Sequence, residues 1–316
     1  MDIVTFGETM VVFTPRRAGM LRYVGDFTTH IGGAESNVAI GLSRLGHQVG
    51  WMGKLGNDEF GYKIYQTLRG EGIDLSHVTF EDGFQTGIYF KEKINHEKLR
   101  VHYYRDNSAA TTLAPSDLNE EYIASAKYLH ITGITPLLSE SCQQATDKAI
   151  EIAKENNVKI VFDPNIRTNL GSLENREALI ELSKQADIIL PGIEEGKFLT
   201  GKTSPEEIAR VLYENGSSIV IVKLGEKGAY YYSEHREGYV SAYPVEQVVD
   251  PIGAGDGFAS GVLSGFLDGL DLEESVRRGS VVGALVTMIQ GDIEGLPDRS
   301  TLEMLVDDVN NDDVNR

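Results

Sequence analysis

Late in the chain stands Asp250-Pro251-Ile252-Gly253-Ala254-Gly255-Asp256-Gly257-Phe258, followed directly by an amphipathic stretch. Two glycines and an alanine leave the backbone N–H groups of Gly253, Ala254 and Gly255 without side-chain cover. They open a helix, whose first N–H groups have no partner inside the helix and lie at the positive end of its dipole. Such a nest binds anions. An acid, Asp256, sits within it. An anion nest that also holds a carboxylate suits phosphoryl transfer: the N–H groups take developing negative charge and the carboxylate takes the proton of an attacking hydroxyl. A tight turn with Asp256 as a helix cap would use the same residues, so the remaining chain has to decide.

Five other segments carry polar residues where a ligand could meet them. Gly32-Gly33-Ala34-Glu35-Ser36-Asn37 pairs glycines, which admit close backbone approach at Gly33, with Asn37, which both donates and accepts, as a polyol or sugar requires. Tyr103-Tyr104-Arg105-Asp106-Asn107-Ser108-Ala109 offers tyrosine hydroxyls for sugar oxygens and a guanidinium that can grip a carboxylate with two parallel bonds. Tyr89 lies on the expected partner strand, with an alternation that brings it near Tyr103. Asp163-Pro164-Asn165-Ile166-Arg167 follows an apolar run, and ligands of open α/β sheets bind outside the carboxyl ends of strands; Asn165 and Arg167 would reach phosphate or substrate oxygens there. Lys223-Leu224-Gly225-Glu226-Lys227-Gly228 also follows a buried run and reads as a nucleotide-facing loop or a plain glycine turn. In Gly291-Asp292-Ile293-Glu294-Gly295, Asp292 is the candidate, against a loop rich in turn formers.

The elements that must position these residues alternate. Apolar runs at Ile3–Phe6, Val49–Lys54, Tyr128–Ile131, Lys159–Asp163, Ile188–Leu190 and Ile219–Lys223 read as strands, several of them buried on both faces. Between them, helical patterns cover Ala34–Leu45, Asp58–Arg69, Glu140–Glu155, Glu174–Gln185 and Pro205–Tyr213, with Gly46 and Gly72 placed to end helices. This predicts an α/β fold with a doubly wound, mainly parallel sheet flanked by helices. Residues 11–28 and 86–105 break the rhythm with β-prone alternation; the second reads as a hairpin turning near Asn95-His96-Glu97. Paired, they would form a small β-sheet lid over a cleft, or the packing face of a dimer. With no linker and no repeat, residues 1–316 read as one domain, and 306–316 as a frayed acidic tail.

Composition narrows the partners. With 29 Lys+Arg against 48 Asp+Glu, the net charge of −19 repels nucleic acid and anionic membranes. A site for an anionic ligand therefore needs its own cluster of cations and N–H groups. The single cysteine, Cys142, excludes an intramolecular disulfide and a Cys-based zinc site, and fits a reducing cytoplasm. The N-terminal residues run straight into a strand without the pattern of a signal peptide, and no apolar run approaches the length of a membrane span.

Together and in this order, the motifs resemble those of the ribokinase-like carbohydrate kinases, also called the phosphofructokinase B family. The resemblance covers essentially the whole chain to Gly295, and rests on the paired glycines before the first helix and on Asp250-Pro-Ile-Gly-Ala-Gly-Asp-Gly-Phe. It implies Asp256 as catalytic base with Gly253, Ala254 and Gly255 as its anion hole. It also implies ATP as phosphoryl donor along Lys223, Gly225 and Gly228, with Asn165 and Arg167, and Mg²⁺ bridging the ATP phosphates. One departure stands out: where the family commonly has Asn-x-x-Glu, the chain has Gly192-Ile193-Glu194-Glu195, so no metal ligand is assigned. Gly-Gly-Ala-Glu-Ser-Asn, Tyr-Tyr-Arg-Asp-Asn-Ser-Ala and Gly-Asp-Ile-Glu-Gly are similar to the branch of the family that phosphorylates 2-keto-3-deoxygluconate at O6. A substrate carboxylate needs cations, and Arg105 and Arg167 are available at two predicted site loops. Gly33, Asn37, Tyr89, Tyr103 and Asp292 complete the expected sugar-acid site. The resemblance also implies a homo-oligomer joined through the lid. The alternatives are a kinase for a neutral sugar such as fructose or ribose, and a non-catalytic sugar sensor. A nicotinamide-dependent dehydrogenase would need a Gly-x-Gly-x-x-Gly pattern that Gly7-Glu8-Thr9-Met10 lacks.

Overall fold

The computed structural model describes residues 1–94, 99–166 and 173–305. The expected turn near Asn95–Glu97, Arg167 and the tail 306–316 lie outside the described residues. The strands are β1 (Ile3–Phe6), β2 (Met10–Pro15), β3 (Phe27–Gly32), β4 (Val49–Gly56), β5 (Val78–Glu81), β6 (Ile88–Lys93), β7 (Leu99–Tyr104), β8 (Tyr128–Thr132), β9 (Lys159–Asp163), β10 (Ile188–Ile189), β11 (Ile219–Lys223), β12 (Ala229–Ser233) and β13 (Glu237–Val240).

Nine strands make the large sheet, in the order β13-β12-β11-β10-β9-β8-β1-β4-β5. All neighbours from β5 to β11 are parallel, and β12 and β13 add an antiparallel edge. Successive residues of the inner strands point into opposite cores, as a period of two requires. Ile3, Val161 and Ile221 enter one apolar cluster; Val4, Ile160, Phe162, Val220 and Val222 enter the other. Continuous apolar runs are therefore the signature of strands covered on both sides.

Helices close both faces. On the first lie α1 (Ala34–Arg44) and α2 (Glu59–Gly70), through Val38, Ile40, Ile64 and Leu68. On the second lie α3 (Glu120–Ala124), α4 (Glu140–Glu155), α5 (Leu173–Ser183), α6 (Ile193–Thr200) and α7 (Pro205–Glu214). Ile123, Ala145, Leu179, Leu199 and Ile208 bury these against the sheet. The final pair, α8 (Ala254–Leu267) and α9 (Leu272–Thr287), returns to the first face through Val262 and Val282. The chain winds outward in both directions from the junction of β1 and β8, so this doubly wound sheet has its switch point there.

The two segments that broke the α/β rhythm do pair. They form a four-stranded sheet in the order β3-β2-β6-β7, with β2 and β6 joined in parallel across Val11↔Ile88, Val12↔Tyr89 and Phe13↔Phe90. The first segment was expected to end at residue 28; β3 instead continues to Gly32, because its register with β2 runs from Pro15↔Phe27 to Met10↔Gly32. The small sheet therefore feeds straight into α1. Predicted elements otherwise agree to within a few residues, and Gly46 and Gly72 adopt the left-handed conformation of helix ends, at φ +85° and +80°.

Asp58 ties the two layers together. Its Oδ1 accepts from Gly61 N–H at 2.8 Å, capping α2, and its Oδ2 accepts from Thr86 N–H at 2.8 Å, just before β6. Burial opposes its charge, but the Thr86 and Gly61 N–H groups outweigh it and hold the carboxyl below its ordinary 3.8. Asp58→Ala should lower stability at pH 7 by about 1–2 kcal/mol in denaturant unfolding. The sign follows from a depressed folded-state value: the contribution is present above the unfolded carboxyl's range and is lost as pH falls through the lowered folded one. Native protein and variant should converge once the pH lies below the lowered folded-state range of Asp58.

Candidate active site

The carboxyl ends of the parallel strands supply most of the site. Glu8 follows β1, Thr132 and Asp163 end β8 and β9, and Lys223 ends β11. Against them stands the first turn of α8. Gly253 is its N-cap, in the left-handed region at φ +84°, and a side-chain Cβ there would lie 2.4 Å from the carbonyl oxygen of Asp292. Only glycine meets both conditions. Its N–H and those of Ala254 and Gly255 open the helix as the sequence suggested. Gly33, N-cap of α1, meets a similar limit: a Cβ would lie 2.3 Å from the carbonyl oxygen of Glu8.

Asp256 is 5 % exposed. Two amides hold it: Asn37 Nδ2 donates to Oδ2 at 2.7 Å, and Asn165 Nδ2 donates to Oδ1 at 3.1 Å. Asn165 does so from φ +44°, a conformation that few residues other than glycine and asparagine accept. Sequence reasoning gave Asn37 to the sugar and Asn165 to the nucleotide; the structure puts an amide hydrogen of each on the same carboxylate. Asp256 lines a cavity together with Gly33, Asn37, Tyr89, Tyr103, Arg105 and Asp292. The predicted sugar-acid residues within the described chain are thus gathered in one place. Tyr89 and Tyr103 face each other across β6 and β7 with ring centroids 5.4 Å apart.

Arg105 packs against the Tyr103 ring, 5.6 Å from its centroid, and forms an ion pair with Glu8. Glu8 Oε1 in turn accepts from Ser108 Oγ at 2.6 Å. The ion pair joins Arg105 Nη2 to Glu8 Oε2. Arg105 Nε has no hydrogen-bond partner among the described residues. Glu35 lies behind them, with Oε1 accepting from Thr132 and Thr135 hydroxyls at 2.6 and 2.7 Å. Burial pushes its carboxyl up, against those two bonds.

On the nest side, Lys223 Nζ donates to Asp163 Oδ2 at 2.7 Å, and lies 3.6 Å from where a Gly255 Cβ would stand. Burial works against its charge, but Asp163, Glu195 and Asp256 outweigh that and hold the ammonium above the ordinary lysine value. Gly225 and Gly228 form the turn joining β11 to β12, at φ +60° and +94°. Glu195 accepts from Ile166 N–H at 2.8 Å and Gly192 N–H at 2.6 Å, so it fastens the Asn165 loop to the start of α6.

Sequence reasoning missed Glu8, Glu35 and Lys91. Lys91 donates to Asp250 Oδ2 and Asp292 Oδ1, each at 2.8 Å, while Tyr89 Oη donates to Asp292 Oδ2 at 2.8 Å. Two signals pointed there: Glu8 follows a strand's carboxyl end, and Lys91 lies two residues beyond Tyr89, on the same strand face. Among the described residues no cluster of His, Cys, Asp and Glu could hold a metal ion by itself, and no helix is long and apolar enough to cross a membrane.

Known proteins share this architecture. The 2-dehydro-3-deoxygluconokinase of Bacillus subtilis (strain 168) is 43 % identical over 305 residues, spanning 96 % of this chain and 94 % of its own. Probable fructokinase-2 of Arabidopsis thaliana is 36 % identical over 306 residues, spanning 93 % and 92 %. A putative ribokinase II from E. coli, solved in complex with ATP and Mg²⁺, superposes with a TM-score of 0.91 at 29 % identity, covering 97 % of this chain and 99 % of its own. Residues 1–299 match the pfkB family of carbohydrate kinases, and the chain belongs to that family.

Proposed function

We propose that this chain is an ATP-dependent kinase that phosphorylates 2-keto-3-deoxygluconate, the acid also called 2-dehydro-3-deoxygluconate, at O6. The observation that carries the reading is Arg105: a largely buried guanidinium on the wall of the Asp256 cavity whose Nη2 is paired with Glu8 and whose Nε has no hydrogen-bond partner among the described residues. A buried donor without an acceptor is costly, and a ligand carboxylate would accept from Nε. The relative from B. subtilis acts on this acid by its name. Arg167 is the proposed second cation, with a nucleotide role as its alternative.

In this reading the sugar acid lies among Gly33, Asn37, Tyr89, Tyr103, Arg105 and Asp292, with its terminal hydroxyl toward Asp256. Asp256 accepts the hydroxyl proton as the oxygen attacks the γ-phosphorus of ATP. The Gly253, Ala254 and Gly255 N–H groups stabilise charge on the transferring group. Asn37 and Asn165 fix the carboxylate, so no reorganisation is needed at the moment of transfer. Lys223, Gly225 and Gly228 line the proposed nucleotide side. Mg²⁺ brought with ATP fits this end of the sheet: Asp163 Oδ1 is buried without a hydrogen-bond partner among the described residues, and Asp163 and Glu195 face Lys223 together with Asp256. The metal would neutralise phosphate charge there. The small sheet acts as a lid that excludes water. On the side away from the cavity, Phe13 stacks on Phe90 at 4.7 Å, Phe60 of α2 meets Phe13 edge-on, and Tyr104 is 62 % exposed; a second copy of the chain covers this patch.

A kinase for a neutral sugar is the second reading. The Glu8 ion pair favours it, since Arg105 then has a counter-charge without any substrate acid. The fructokinase likeness is compatible with it.

Asp256→Asn should lower kcat by about 10²–10⁴-fold while ATP affinity stays within a few-fold, measured by ADP release and by nucleotide titration. Turnover near the native rate would remove Asp256 as base. Arg105→Ala should raise the KM for the sugar acid about 10–100-fold. An unchanged KM would move the reading to a neutral sugar. Light scattering should give twice the 34.7 kDa chain mass, and Tyr104→Arg should return it to the single-chain value.

A further inference from the structure

Strand β6 presents one face to the loops on either side of α8 and α9. Tyr89, Lys91 and Lys93 alternate onto that face. Tyr89 Oη reaches Asp292, Lys91 Nζ reaches Asp292 and Asp250, and Lys93 Nζ donates to Gln290 Oε1 at 3.0 Å. Lys91 is the unusual member: its side chain is 0 % exposed, and those of Asp250 and Asp292 are 4 % exposed. A fully buried lysine is rare unless paired, and an apolar side chain of similar volume would seal a strand against a loop at less cost. What an ammonium adds is direction. It holds two carboxylates, from segments 159 and 201 residues further along the chain, at hydrogen-bond distance from one atom.

Each carboxylate has its second oxygen committed to one half of the site. Asp292 Oδ2 accepts from Tyr89, on the wall of the cavity that Asp256 shares. Asp250 Oδ1 accepts from Ile252 N–H at 3.1 Å, within the turn that leads into the anion nest. The backbone carbonyl of Asp292 stands directly against Gly253, so a displaced Asp292 displaces the helix N-cap. Burial works against the charge on Lys91, but Asp292 and Asp250 outweigh it and keep the ammonium protonated.

We infer that Lys91 is a positioning residue for phosphoryl transfer: it fastens the Tyr89–Asp292 wall of the cavity to the Asp250–Gly253 turn, so that the anion nest has its working shape only when the small sheet is seated. The inference rests on the kinase reading above. It predicts a loss in the chemical step, because the nest must meet the transferring group, with little loss in resting nucleotide affinity.

Lys91→Met alone strands two buried carboxylates and risks unfolding. Lys91→Met with Asp250→Asn keeps the cluster's charge at −1, from +1−1−1 in the native protein, and keeps its volume, while removing the ammonium bridge. This double variant leaves one buried carboxylate, Asp292, without its cation, so its thermal midpoint should lie below native and above that of Lys91→Met, with nucleotide affinity without sugar within about twofold of native. The kcat on whichever sugar the native protein phosphorylates should fall at least about tenfold. In the unliganded protein, amides of β6 and of 250–256 should exchange with solvent at least about tenfold faster together, with β1, β8 and β9 unchanged. A native kcat, or native exchange at 250–256, overturns the inference. A native protein that phosphorylates fructose and ignores the sugar acid fails the substrate reading and leaves this test intact. One inert toward every sugar fails the kinase reading, and the exchange measurement then decides the coupling by itself.

Discussion

A carboxylate held at the mouth of a helix sets the terms for everything around it. Asp256 sits in the first turn of α8, among N–H groups that need a negative partner, and accepts one amide from α1 and one from the loop after β9. Those donors come from parts of the chain 219 and 91 residues away. Only a fold that brings the ends of β1, β8 and β9 beside the N-terminus of α8 can assemble them. The doubly wound sheet does this at its switch point. Strand order thus becomes a chemical statement: the reversal between β1 and β8 leaves a crevice, and the nest closes one side of it.

The second constraint is charge. The chain carries a net −19, yet the proposed function needs it to receive a triphosphate and a sugar acid. One buried and two half-buried cations answer this locally, and each is paired: Lys91 with Asp250 and Asp292, Lys223 with Asp163, Arg105 with Glu8. The pairs are not equivalent. Arg105 keeps its Nε without a hydrogen-bond partner among the described residues, which suits a binding role; Lys91 spends itself on two loops, which suits a structural one. The Gly291–Gly295 segment belongs with Lys91. Its Asp292 holds β6, and its Glu294 accepts from His30 Nδ1 of β3 at 2.5 Å, so a segment that reads as a turn-rich loop anchors the small sheet at two strands.

Much of this was legible in the residues. Buried parallel strands announce themselves as unbroken apolar runs, and so β1, β9 and β11 were placed to the residue. Alternation alone put Tyr89 opposite Tyr103. The limits have physical causes. β12 and β13 follow a glycine turn that also reads as a ligand loop. Asn37 and Asn165 read as ligand-facing amides; a sequence does not say that each also meets the same carboxylate, Asp256. Lys91 escaped because lysine in a strand reads as solvated; only the fold shows that this strand's inner face meets two acids. Glu8 was passed over because the segment after β1 was searched only for a glycine pattern.

The substrate assignment turns on whether Arg105, through its Nε, meets a substrate carboxylate. The measurement that reaches this most directly is the ratio of kcat/KM for 2-keto-3-deoxygluconate to that for fructose, both with ATP and Mg²⁺ on the native protein. A site built to bond a group rejects analogues lacking it by large factors, so the ratio should exceed about 10³. A ratio near one, or one favouring fructose, would contradict the account and leave Arg105 to its pairing with Glu8.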